Sequence, residues 1–192
     1  MADMDLAEAR FRSDCWNKAL ESYGTSWIFE RRANRLRAQT RSLTFLGIIG
    51  PLLLGAIALE FGNVALFPGL LIPAGIIAIV QVVGSLWSLV ARWEDSYSYA
   101  LESMNSNSRL SDEFRDLASN PEAIADQARL KYQILEQEDR LRCSEDTKQG
   151  VTEKEKRMGM RSALRQFKRP CAGCGKVPVS MEPTDCPVCG QF

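Results

Sequence analysis

Between Ser42 and Ala91 the chain carries a single charged side chain, Glu60, in fifty residues. Two apolar runs, Leu43 to Leu59 and Val64 to Val90, flank a short break at Glu60, Phe61, Gly62 and Asn63. At ~1.5 Å rise per residue they cover roughly 26 and 40 Å, against a hydrocarbon core of about 30 Å. Each is long enough to span a bilayer. Pro68 and Pro73 predict an irregular start to the second run, with the regular helix beginning near Pro73. The soluble alternative is a helical hairpin buried in a globular core, but a chain of 192 residues has little protein with which to surround two such helices. A secretory signal peptide is a poorer account, because the first run follows a charged segment of about forty residues and is followed at once by another.

The formal net charge is zero, with 24 basic and 24 acidic side chains, yet the charges are confined to the flanks. Arg31, Arg32, Arg35, Arg37 and Arg41 precede the first run, Arg92 follows the second, and the break between the runs has no Lys or Arg. By the positive-inside rule both termini are cytoplasmic. The chain therefore divides into 1–41, an N-terminal amphipathic helix; 42–91, a two-transmembrane hairpin; 92–150, a cytoplasmic helical region; and 151–192, a basic helix with a cysteine-rich end. The expected fold class is an all-α membrane protein. A membrane is the expected location, with the lipid bilayer as first partner.

Within the spans, Ala74 to Ala78 and Gly84 to Ser88 have the small-xxx-small spacing that lets helix backbones approach closely, either inside one hairpin or between copies. Gln81 is the one amide in the regular part of either span. A polar group at that depth faces another helix or a water-filled path, so it is a candidate for interhelical hydrogen bonding or for a pore lining. A single hairpin cannot enclose a pore, and conduction would need a homo-oligomer. Trp87 and Trp93 suit an aromatic belt at the cytoplasmic face, with Phe61 and Phe67 at the other.

In the flanks, Phe11, Cys15, Ala19, Tyr23 and Trp27 recur every fourth residue, with Trp16 and Leu20 beside them, and make one helical packing face. After the membrane, Tyr97 to Met104 continues a helix, the polar Asn105 to Ser108 predicts a break, and Leu110, Phe114 and Leu117 resume it. Asn120 and Pro121 read as a cap and first helical position. The next helix presents Ile124, Ala128 and Leu135, with Leu130, Ile134 and Leu141 alongside, to the N-terminal helix or to another subunit. Thr152 with Glu155 predicts a capping box opening a last helix to about Gln166. Residues 154–176 carry eight basic side chains and only Glu155. Such a run can contact anionic lipid, nucleic acid or a nucleotide, and can equally pair with the acidic helices upstream or stay solvated.

The clearest chemistry lies at the end of the chain: Cys171-Ala-Gly-Cys174-Gly and Cys186-Pro-Val-Cys189-Gly, two CxxC pairs eleven residues apart. Two such knuckles point four thiolates at one ion and complete a tetrahedral structural zinc site with no open position. The following glycines permit the positive φ such turns use. So few intervening residues cannot bury a core, and the metal would supply most of the folding free energy of a small zinc ribbon. Disulfides or a redox pair would suit an oxidising compartment, and an iron–sulfur cluster also takes four cysteines. Cys15 and Cys143 have no partner in sequence and read as reduced thiols. The chain has no His, which removes the commonest general base, and it has no phosphate-cradling glycine loop and no open metal site. It does not read as an enzyme.

This arrangement of an arginine-rich approach, two spans, helical cytoplasmic parts and paired knuckles resembles the SLATT-type two-transmembrane effectors of bacterial conflict systems. In particular it resembles the mobilome-associated group with a CxxC, eleven residues, CxxC tail. The resemblance implies an oligomeric membrane effector, paired with a nucleotide-signalling or ligand-sensing protein, that breaches the inner membrane to stop phage spread. The residues themselves leave a second expectation open: a membrane-tethered zinc-ribbon module that holds nucleic acid or a partner protein.

Overall fold

The computed structural model describes residues 2–61, 67–119 and 125–192, with side chains at 7–50, 52, 53, 55, 56, 72, 75–119 and 127–192. These form five helices: α1 (Ala2–Phe61), α2 (Phe67–Val90), α3 (Trp93–Ser119), α4 (Ala125–Lys148) and α5 (Glu153–Gln166). No strand occurs among the described residues. The chain divides into two compact units, one made of residues 1–31 and 100–192, the other of 32–99.

The first unit is built on the apolar face of α1. Cys15 and Ala19 are fully buried against Leu110, Phe114, Leu117 and Ala118 of α3 and Leu135 of α4. Tyr132 stands edge-on to both Phe11 and Phe114, with ring centroids 5.5 and 5.8 Å apart. Burial pushes the Cys15 thiol up to about 11, with Asp14 adding to the effect, so this sulfur behaves as a small apolar side chain. Leu130, Ile134 and Leu141 of α4 are instead exposed, so of the apolar residues expected on that helix only some meet the core.

The break expected at Asn105–Ser108 does not occur: α3 is continuous from Trp93 to Ser119. The reason is a buried polar layer. Ser103 donates to Asp146 Oδ1 at 2.7 Å, and Asn107 donates to Asp146 Oδ2 at 2.8 Å and to the Ser103 carbonyl at 2.9 Å. Ser111 donates to the Ala19 carbonyl, and Ser26 to that of Met104. Polar side chains that usually favour turns are held in the helix by partners on α1 and α4. Arg142, also buried, reaches Glu102 at 2.9 Å and lies 3.7 Å from Asp146.

In the second unit the later part of α1 meets α2 where side chains are smallest. A β-carbon on Gly47 would lie 3.0 Å from Gln81 Nε2, one on Gly50 would lie 3.5 Å from Gln81 Oε1, and one on Gly84 would lie 3.2 Å from Leu43 Cδ2. Around this seam, sixteen described large apolar side chains from Phe45 to Val90 are 52–77% exposed. Among the described residues no single helix is long and apolar enough to cross a membrane, while the bent pair Gly75–Val90 and Trp93–Ser119, meeting at 51°, passes that test jointly. The regular second helix begins at Phe67 rather than near Pro73. Of the expected turn, Glu60 and Phe61 are helical, and Gly62 and Asn63 lie outside the described residues, as do Asn120 and Pro121 with their expected cap.

The polar layer yields a stability prediction. Asp146→Ala leaves the Ser103 and Asn107 donors without their carboxylate and should cost about 2–3 kcal/mol. Asp139→Ala, which removes the partly exposed Lys18–Asp139 pair (2.7 Å), should cost under about 1 kcal/mol. Thermal unfolding of the full chain in detergent checks the order.

Candidate metal centre

The last helix positions the cysteines, and its sequence fixes both its ends. At the start, the Thr152 hydroxyl accepts from the Glu155 N–H at 3.2 Å and the Glu155 carboxylate accepts from the Thr152 N–H at 2.9 Å, the capping box expected from the sequence. At the end, the Lys168 N–H donates to the Arg165 carbonyl at 3.3 Å and the Arg169 N–H to the Leu164 carbonyl at 3.0 Å, a Schellman turn. Lys168 takes the left-handed position of that turn at φ 52°. The turn throws Phe167 against Tyr23 and Trp16, with centroids at 5.4 and 6.0 Å, and sets the Arg169 guanidinium 4.6 Å over the Trp16 ring. At the crossing of α1 and α5 the backbones nearly touch, since a β-carbon on Gly159 would lie 2.6 Å from the Gly24 carbonyl oxygen.

Beyond Pro170 the chain makes two similar turns. The Gly175 N–H donates to the Cys171 carbonyl at 2.7 Å, and the Gly190 N–H to the Cys186 carbonyl at 2.9 Å. The two glycines serve different ends. Gly175 adopts φ +69°, as a knuckle requires, whereas Gly190 is not among the positive-φ residues and is needed for space, because a β-carbon there would lie 2.6 Å from the Thr184 carbonyl oxygen. The ribbon expected here therefore has no strands and consists of two knuckles and a loop.

The four sulfurs of Cys171, Cys174, Cys186 and Cys189 lie within 4.8 Å of one another, with Cys171–Cys186 and Cys174–Cys189 each at 3.9 Å. Four sulfurs ~2.3 Å from a central ion stand about 3.8 Å apart, whereas a disulfide requires about 2.05 Å. The arrangement fits one tetrahedrally held metal ion and leaves no position open for substrate. Backbone N–H groups of Cys189 and Val188 directed at Cys186 lower its thiol to about 7, while burial and then the neighbouring thiols of Cys171 and Cys186 push Cys189 up. Ionising the set would come with metal binding, which releases the protons.

Sequence reading missed Arg161. Counted there as one member of a basic run, it is only 5% exposed and ties the knuckle loop to α5: its Nε donates to the Ser180 carbonyl at 2.7 Å and an Nη to the Cys189 carbonyl at 3.2 Å. Arg157 likewise donates to the Gln191 carbonyl at 3.0 Å. Cys171, Cys186 and Cys189 pack with Leu20, Ala163 and Leu164, so the centre is continuous with an apolar cluster on α1 and α5.

The other residues singled out in sequence belong to the second unit. Gln81 rests against Gly47 and Gly50, and its amide makes no hydrogen bond to a described residue; Gly84 rests against Leu43. Ala78 is exposed, Ser88 lines a cavity discussed below, and the side chain of Ala74 lies outside the described set.

An all-helical protein closed by a four-cysteine cluster of metal-site geometry is thus defined. The chain belongs to the mobilome CxxCx(11)CxxC protein family, whose profile matches residues 12–192. No curated protein and no solved structure matches it.

Two measurements follow. Arg161→Gln should weaken metal retention about ten- to a hundredfold in a chelator competition, because it releases the loop carbonyls that hold the cysteine turns. Lys168→Gly removes the left-handed strain and should raise thermal stability by about 1 kcal/mol.

Proposed function

We propose that this protein is an oligomeric inner-membrane effector of a bacterial conflict system, which perturbs or perforates the bilayer when a signal reaches its helical and cysteine-bearing unit. Bilayer lipid and further copies of the chain are its direct partners, and a nucleotide-signalling or sensor protein supplies the signal. The observation carrying this reading is the outward apolar surface of the second unit, joined to a sequence with one charge between residues 42 and 91. Lipid or neighbouring hairpins are the surroundings that such a surface favours. The arginines of residues 31–41 and Arg92 favour a cytoplasmic side for both termini. Membership of the mobilome family and the resemblance to SLATT-type effectors support the conflict role. The cysteine cluster holds zinc, as its sulfur spacing and closed shell suit that ion, and its role is structural.

A membrane-tethered binding module is the second reading. Lys154, Arg165, Lys168 and Lys176 are exposed and have no carboxylate partner among the described residues, which leaves a cationic surface for nucleic acid. Arg157, Arg161 and Arg169 are engaged in holding the fold and Lys156 pairs with Glu153 at 2.7 Å, which leaves four of the eight basic side chains of the run.

Overexpression separates the two. An effector depolarises the cell as copies accumulate, and Gln81→Leu reduces depolarisation at least fivefold without changing the amount in the membrane fraction. A tether leaves membrane potential untouched, and its nucleic-acid binding falls steeply with salt.

A further inference from the structure

The second unit contains a cavity of about 420 Å³, walled on one side by Arg37 and Arg41 of α1 and on the other by the end of α2 and the start of α3. The turn that forms it is strained: Arg92 sits at φ 49°, its N–H bonded to the Leu89 carbonyl at 3.1 Å and its carbonyl accepting the Ser96 N–H at 3.0 Å. The Arg92 side chain is neutralised locally, with both Nε and Nη2 at 2.6 Å from Asp95.

Arg37 and Arg41 are different. They stand one helical turn apart on the same wall, and neither meets a carboxylate among the described residues. Like charges at this spacing oppose each other unless an anion lies between them. A third donor faces the same space. Thr40, Ser42 and Thr44 turn their hydroxyls back to carbonyls of the preceding turn, but Ser88, half-buried in the cavity wall, has no acceptor among the described residues. Leu89 and Trp93 supply an apolar side to the same cavity.

We propose that this cavity binds a phosphodiester, held by the Arg37 and Arg41 guanidiniums and the Ser88 hydroxyl, with Trp93 against the organic part of the ligand. Planar guanidiniums bind phosphate oxygens through paired, charge-assisted hydrogen bonds. The remaining unpaired charge in the wall is Glu94, so two guanidiniums and one carboxylate leave one positive charge. That balance suits the single negative charge of a diester better than a dianionic monoester. A phospholipid headgroup and a soluble diester share this chemistry. The site stands on its own residues and does not depend on membrane perforation.

The test uses the full chain in a maltoside detergent free of phosphate and follows Trp93 emission, with Trp93→Phe identifying the signal against Trp16, Trp27 and Trp87. The probes are dihexanoyl phosphatidylglycerol and its deacylated counterpart, glycerophosphoglycerol. A saturating shift with both assigns the site to diesters in general, and a shift with the acylated probe alone assigns it to a lipid headgroup; either supports the site. Arg37→Gln/Arg41→Gln should weaken the response at least tenfold, with metal content of the cysteine centre reporting that the chain is folded. Glu94→Gln, an exposed substitution that leaves packing alone, should tighten binding about threefold. No shift with either probe, or equal affinity in the arginine and Glu94 variants, overturns the proposal. A chain that answers the probes but does not depolarise cells keeps this site and loses the perforation reading.

Discussion

The dominant constraint on this chain is the cost of leaving aliphatic side chains in water. Sixteen described large apolar residues between Phe45 and Val90 point outward from a seam made of glycines, Gln81 and Leu43. At roughly 2 kcal/mol for a side chain fully withdrawn from water, and with 52–77% of each still exposed, the total is on the order of 20 kcal/mol. A domain's net stability is only about 5–15 kcal/mol. Such a surface is therefore compatible with an apolar solvent or a close assembly of copies, and the proposed membrane role rests on this inequality.

The other unit is organised by the opposite logic. Its helices bring serines, an asparagine, an aspartate and two arginines into the interior, and each of these is tied to a named partner: Asp146 to Ser103 and Asn107, Arg142 to Glu102, Arg161 to the loop carbonyls of the knuckles. Burying such groups contributes little net stability, but removing one member strands the rest. The layer consequently specifies which helix faces meet. The cysteine lobe is attached in the same way, through Arg161 and the aromatic group around Phe167, so a metal-dependent change in the knuckles would be felt directly by α5 and by the N-terminal part of α1.

What could be read from the sequence follows from the range of the interactions. The capping box at Thr152 and Glu155, the helix to Gln166, the Cys15–Ala19 face and the cysteine spacing are all local patterns, and the structure contains each. The break expected at Asn105–Ser108 failed because Asn107 finds Asp146 thirty-nine residues away, which no local rule reveals. Arg161 was hidden inside a charge run for the same reason, since its acceptors lie across a loop. Gly159 sits mid-helix as an apparent weakness until Gly24 is placed against it. Leu130, Ile134 and Leu141 follow helical spacing yet stay exposed, because periodicity finds a face without saying what covers it.

Alkaline carbonate extraction of membranes from expressing cells tests the central claim most directly. If lipid surrounds residues 42–91, the protein stays in the pellet at high pH and enters solution only with detergent. Recovery of the chain in the carbonate supernatant, folded and without detergent, would contradict the account.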